Sequence, residues 1–405
     1  MGPRPHQIFR AFFFLGLTSF GGPAAGLGTL EAEFARRRRW VSESRARELL
    51  TWSKLLPGPV VTQFAILLGH EMGGSRKAGF LAGLGFVLPA VGIVAGLSVL
   101  GRAFERMPMV QGALEAGILG ALGVVALSVL DLSRGQLRTR FRWAAFLAAL
   151  ILAGLWPAGE PLFLLGGGLW GALREPAGEA TPAAQSPARG SFPWVLLALG
   201  VAFATVLLFP AHSLGGLGSG GGAVFSVFQS CLRAAALTFG TGMAVLPVLK
   251  QAFVEGHHWI SAQDFSLALA LGQVTPGPMV ITAAALGFLA QGWVGFLAGA
   301  VGIFLPSFFN SLAILPEVRA RVRSPDRMRA FVDGAFPWVL GALAGAGVGL
   351  ALQVLRPAGA TTASMILRAT SFLLIVGVSR RWKIPSWAVI LGSAGGGLVL
   401  SLVRG

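Results

Sequence analysis

Cysteine is nearly missing from this chain. Cys231 stands alone, which excludes an internal disulfide and any cysteine-based metal site. Five histidines and four aspartates are scattered along the sequence and form no metal-ligand cluster. No acid–base pair falls within one motif, and no cofactor is expected. Charge is scarce too: only 12% of residues are charged, about half the ~25% usual for a soluble domain. There are four lysines, at positions 54, 77, 250 and 383, so the formal net charge of +16 is mostly arginine.

Apolar sequence takes the place of charge. The chain is 54% hydrophobic, with roughly ten stretches near the ~20 residues that cross a bilayer. Two of them are "AGFLAGLGFVLPAVGIVAGLSVL" and "WVGFLAGAVGIFLPSFFNSLAIL". The expectation is an all-α polytopic membrane protein embedded in a lipid bilayer. Its arginines lie in short loops between apolar segments, the pattern of positive-inside orientation rather than of nucleic-acid binding. The opening "MGPRPHQIFRAFFFLGLTSFGG" resembles a signal peptide in its basic start. Its apolar run continues into a Gly-Gly-Pro break without a small-residue cleavage site, so it reads as mature chain.

Two of the apolar segments are interrupted. "KLLPGPVVTQ" places Lys54 and Pro57-Gly58-Pro59 where a plain span would carry neither, and "GQVTPGPMVIT" repeats the break at Pro276-Gly277-Pro278. An interior proline costs about 3 kcal/mol in a helix, and a lysine at the bilayer centre roughly 2.5–3.5 kcal/mol. A helix broken at that depth exposes free N–H groups and a positive dipole end at the start of its second part. Such backbone is tolerated only against protein or a water-filled cavity. "SFGGPAA" (19–25) and "TFGTGMA" (238–244) read as two further helix starts.

A shift of 219 residues superposes the halves without a gap over the breaks: Phe20 on Phe239, Phe34 on Phe253, Trp40 on Trp259, Ser42 on Ser261, Pro57 on Pro276. "GFLAG" then recurs at 79–83 and 295–299. This predicts two tandem homologous repeats, 1–173 and 222–405, joined by a linker with one extra transmembrane segment (174–221). Loop charge alternates between the copies. Arg36 to Arg39 meet Glu255, Gly256, His257 and His258, whereas Arg319, Arg321 and Arg323 meet a weakly basic loop at 101–108. Opposite orientation of the two copies explains that alternation. A consistent sidedness then makes the broken segments re-entrant and puts the N-terminus inside and the C-terminus outside. Continuous but kinked helices are the alternative.

Four positive helix ends around a pseudo-two-fold axis would form an anion site. The residues expected in it are Ser19, Gly21, Gly22, Lys54, Pro57, Gly58, Pro59, Thr62 and Gln63 in the first half. In the second half they are Arg233, Thr238, Gly240, Thr241, Gln273, Pro276, Gly277, Pro278 and Thr282. Thr275 is another nearby donor. The plain alternatives are hydroxyls bonded to their own helix and an Arg233 that snorkels. Candidates for proton coupling are Glu33, His70, Glu71, Glu115 and Asp333, each of which could instead pair with a loop arginine.

"GLTSFGGPAAGLGTL", "ARRRRWVSE", "LLPGPVVTQFAILLG" and "GFLAGLGFVLP", with "LTFGTGMAVLP" and "TPGPM" in the second half, resemble the chromate ion transporter (CHR) family in its long, two-domain form. The resemblance implies export of chromate across the bacterial inner membrane, driven by potential or proton gradient and conferring chromate resistance. Sulfate, also a tetrahedral dianion, would be the competitor. The chain departs from the family pattern at Gly26, where many members have histidine, and at Thr241 and Met243. Phe14 stands where arginine is frequent, Arg233 keeps a cation at the equivalent place of the second repeat, and Lys54 stands where a polar neutral residue is expected.

Three readings follow: a chromate transporter working by alternating access, a transporter of sulfate or another anion, and an integral-membrane enzyme acting on lipid phosphate. The paucity of catalytic groups argues against the third. A homodimer is left open, although two repeats in one chain make a self-contained site.

Overall fold

The computed structural model describes residues 3–20, 22–104, 108–155, 166–171, 173, 221–236, 245–316, 326–356, 361–382 and 384–404. Among these every regular element is helical, the solution that satisfies each backbone group within its own segment in lipid. In the first half α1 is Pro5–Thr18, α2 Gly22–Glu31 with a π-helical turn Ala32–Arg37, α3 Glu43–Leu55, α4 Val60–Gly73, α5 Arg76–Phe104, α6 Pro108–Gln136 and α7 Arg140–Leu155. In the second half α8 is Gly221–Ala236, α9 Val245–Lys250 with a π-helical turn Gln251–Gly256, and α10 Ala262–Val274. A 3-10 turn (Met279–Ile281) leads to α11, Thr282–Phe309, which runs on through a π-helical turn Asn310–Ile314. The last helices are α12, Asp326–Leu355, α13, Thr362–Trp382, and α14, Ser386–Arg404.

Four stretches among the described residues are long and apolar enough to cross a bilayer: Arg76–Leu100, Met279–Ile314, Asp333–Leu352 and Thr362–Trp382. That is fewer than the roughly ten apolar runs of about 20 residues in the sequence. Breaks and turns divide some runs, and others lie outside the described residues.

Two of the broken segments, both in the first half, fold back on themselves. Phe12 of α1 stacks on Phe34, beyond α2, with ring centroids 4.5 Å apart, so the chain turns back between α1 and the end of α2. Arg45 at the start of α3 bonds Glu71 at the end of α4, 26 residues away, at 2.9 Å. An unbroken helix would hold those ends about 39 Å apart. The Pro-Gly-Pro break is therefore the tip of an α3–α4 hairpin. After an αL turn at Gly74, α5 returns along α4, with Gly69 against Ala82 and Gly73 against Ala78. In α11 the chain reverses at Gln291–Gly292, and Gly287 packs on Gly295. Such contacts between small residues let backbones approach where lipid offers no hydrophobic drive.

Local backbone recurs at the 219-residue shift. The π-helical turns match, and Arg39 and His258 both have φ 52°. Trp40 N–H bonds Phe34 O and Trp259 N–H bonds Phe253 O, each at 2.9 Å. Ser42 and Ser261 both cap the next helix. Helices also cross between halves: α14 lies along α6, with Gly397 against Gly112 and Ala116, and α12 along α7, with Gly341 against Phe146 and Ala149. Leucines and isoleucines exposed on α7 and α13, such as Ile151 and Leu373, face outward as lipid-facing side chains do.

Candidate functional site

The site is built from the chain around Pro57. The break leaves α4 without a preceding turn, so its first N–H groups lack helical acceptors; Gln63 is the first to find one, Pro59 O at 3.0 Å. Gly58 has φ +122°, a conformation that favours glycine. A methyl group there would lie 2.6 Å from Gln63 Nε2 and 3.3 Å from Ser307 Oγ. The Pro57 carbonyl accepts two hydrogen bonds, from Gln63 Nε2 and from Asn310 Nδ2, each at 2.6 Å. Asn310 and Ser307 belong to the second half, so the tip of the first-half hairpin is held across the two halves.

Thr62, Gln63, Ser307, Asn310 and Ser311 are all buried, none more than 2% exposed. Four of their polar atoms have no partner: Thr62 Oγ1, Gln63 Oε1, Ser307 Oγ and Ser311 Oγ. A buried polar atom left unpaired costs about 1–3 kcal/mol, so this concentration at one helix start is a place for a polar ligand or ordered water. Ser307, Asn310 and Ser311 share one helix face, and the helix switches to its π-helical turn at Asn310, a distortion frequent at functional sites. Sequence reading passed over them as part of an apolar run. Their i, i+3, i+4 spacing was the available signal.

The second break meets the first half as well. Gly277, with φ +97°, donates its N–H to Ser19 O at 2.9 Å and packs against Ala90, Gly16 O and Phe86 O. A methyl at Gly26 would lie 3.0 Å from Val61 Cγ1 and 3.4 Å from Ser19 Oγ. Ser19 thus stands between the second Pro-Gly-Pro and the start of α4. Three of the four expected breaks converge, and Thr238, Gly240 and Thr241 of the fourth lie outside the described residues, as does Gly21. For Gly22 only the backbone is described, at the start of α2. Pro59, Pro276 and Pro278 are buried in the breaks, and Gln273 is buried on α10. Thr275 and Thr282 donate to Leu271 O and Met279 O of their own segment.

The sequence profile of the chromate transporter family matches residues 6–172 and again 225–398. The chain belongs to the chromate transporter family. It is 31% identical to a chromate transport protein of Pseudomonas aeruginosa over 96% of this chain and 91% of that protein. It is 28% identical to a probable chromate transport protein of Synechococcus elongatus over 86% of this chain and 85% of that one. An uncharacterized transporter of Methanocaldococcus jannaschii is 25% identical, over 78% and 76%. No solved structure matches. The chromate transporter family comprises transporters rather than enzymes, and this member is a membrane protein.

The cations and acids expected from the sequence are not among the residues joined by the hydrogen bonds around Pro57 O. Lys54 is exposed on the last turn of α3, three residues before Pro57. Arg233 is half-buried in the last turn of α8. Glu33 holds Arg37 at 3.0 Å and Arg38 at 2.6 Å. Burial pushes its carboxyl up, but the hydrogen bonds from Arg38 and Arg37 outweigh that and hold it below its usual pKa. Glu71 is bound by Arg45, whose guanidinium pKa is raised chiefly by that bond. Glu115 is exposed and holds Arg368 at 2.7 Å, Asp333 is exposed, and His70 is half-buried. Among the described residues no group of three or more His, Cys, Asp or Glu could hold a metal.

Sequence reading also passed over Lys250. It is 5% exposed and bonds Glu255 Oε1 at 2.6 Å across its π-helical turn. At the 219-residue shift the pair falls on Glu31 and Arg36, which bond at 3.4 Å. The same pair of positions thus carries opposite signs in the two halves.

Proposed function

We propose that this protein is a secondary transporter that exports chromate across the bacterial inner membrane by alternating access between two inverted repeats. The oxyanion binds near the midplane, at helix starts created by the breaks. The observation that carries the reading is the Gly277 N–H bond to Ser19 O, which joins a break of one half to a break of the other. Gly277 lies against Ala90, near the middle of the spanning helix α5, which supports the depth assigned. The α3–α4 reversal supports re-entrance, and the shared local backbone supports the tandem repeat. Chromate as substrate is supported by the names of the two relatives above.

Within this reading Arg36 to Arg39 mark the cytoplasmic face, the N-terminus is inside and the C-terminus outside. Lys54 attracts the anion electrostatically rather than enclosing it. Sulfate, of the same shape and charge, is the second reading, favoured by a Pro57 cluster whose neutral donors Thr62, Ser307 and Ser311 suit either tetrahedral anion.

The test is expression in a chromate-sensitive bacterium. Raised tolerance with less intracellular chromate supports export. Increased accumulation would reverse the direction, and sulfate flux without chromate flux would change the substrate.

A further inference from the structure

Resting on that reading, we propose that the chain holds a single oxyanion site, at the first break alone, and that Ser307, Asn310 and Ser311 of the second half complete it. The two breaks share a backbone shape but not their surroundings. Superposing Pro89 on Pro306 puts Ala90, Ile93 and Val94 where the second half has Ser307, Asn310 and Ser311. The contacts obey that correspondence: Gly58 faces Ser307, and Gly277 faces Ala90.

The donors of the second break's own segment are already engaged, and the unpartnered Ser19 hydroxyl faces Gly26 beside Val61 of α4. Gly277 N–H is given to Ser19 O, and the hydroxyls of Thr275 and Thr282 are given to their own backbone. At the first break the hydroxyls of Thr62, Ser307 and Ser311 are buried and unpartnered. Pro57 O takes both the Gln63 and the Asn310 amide, filling its two lone pairs and fixing those side chains. The hydroxyls remain free to rotate and donate. Together with the leading N–H groups of α4 they make a donor-rich cluster, in which Gln63 Oε1 is the one unpartnered carbonyl, at the positive end of a helix dipole, which favours an anion over a cation. All these side chains are neutral, so a tetrahedral oxyanion is held by hydrogen bonds alone. The second break then acts as a structural clasp between the halves.

The test is equilibrium binding of labelled chromate, and separately of sulfate, to the full-length protein in lipid nanodiscs. Wild type is expected to bind one anion per chain. Ser307→Ala and Ser311→Ala are each expected to weaken binding roughly tenfold or more, the loss of a hydrogen bond to a charged ligand. Their melting temperatures without ligand should hold or rise, because an unpaired buried hydroxyl has been removed. Unchanged affinity in both variants, two anions per chain, or sodium bound in place of either anion would overturn the single-site assignment while wild type still transports. Folded wild type that binds neither anion would overturn the functional reading itself, and this assignment with it.

Discussion

Arg45 grips Glu71 with two hydrogen bonds of 2.9 Å, one from Nε and one from Nη2, and so fastens the start of α3 to the end of α4. Glu48 adds a third contact to the same guanidinium at 2.6 Å. The clamp keeps the Pro57 break at the tip of a hairpin and directs the start of α4 toward the second half. Single Arg45→Ala or Glu71→Ala variants should lose about 1 kcal/mol, as befits a bidentate but partly exposed pair. Exchanging the charges, Arg45→Glu with Glu71→Arg, should recover most of it. Melting curves in detergent check this; additive losses in the exchanged pair would show that the two do not act together.

Gly58→Ala should impair transport more than stability alone explains. Its φ of +122° disfavours any side chain, and the new methyl would press on Gln63 Nε2 and Ser307 Oγ. Strain of this kind costs about 1 kcal/mol or more. Gly277→Ala meets Ala90 instead and should mainly lower the melting temperature. Comparing melting temperature with oxyanion affinity for both variants separates the two effects.

Acid should weaken the fold through Glu33. Its folded pKa is depressed from an ordinary 4.5, so its contribution is complete above that value and is lost as pH falls through the folded one. Stability should be flat in this respect from pH 7 to about 5 and decline below. Glu33→Gln should flatten the decline. Melting temperatures of both proteins across that range decide it.

Much of this architecture was legible from the residues. Prolines flanking a glycine in apolar sequence mark a break because they remove a donor and permit a turn, and Gly58 and Gly277 sit at positive φ as that chemistry requires. The 219-residue shift anticipated the matching Trp40 and Trp259 turns. Exposure was less legible. Lys54 lies one turn before the hairpin tip, and counting along an apolar run does not say that it takes the exposed face of α3. Contributions from the other half were invisible, because nothing local to "FLPSFFNSLAIL" says that Asn310 reaches Pro57 O, 253 residues away. The Lys250–Glu255 pair was likewise hidden by a π-helical turn that brings residues five apart together.

The proposed opposite orientation of the halves makes a labelling prediction. With Cys231 replaced, single cysteines at Arg37 and Gly256 should react with impermeant thiol reagents from opposite faces of sealed vesicles. Reaction of both from one face would remove the inverted arrangement and leave the sign-reversed Glu31–Arg36 and Lys250–Glu255 pairs without that explanation.

The account rests most directly on flux. Purified protein in proteoliposomes, given an imposed membrane potential or pH gradient, should move labelled chromate, with sulfate as competitor, and Gly58→Ala should move far less. Folded protein that moves neither anion under any gradient would contradict it.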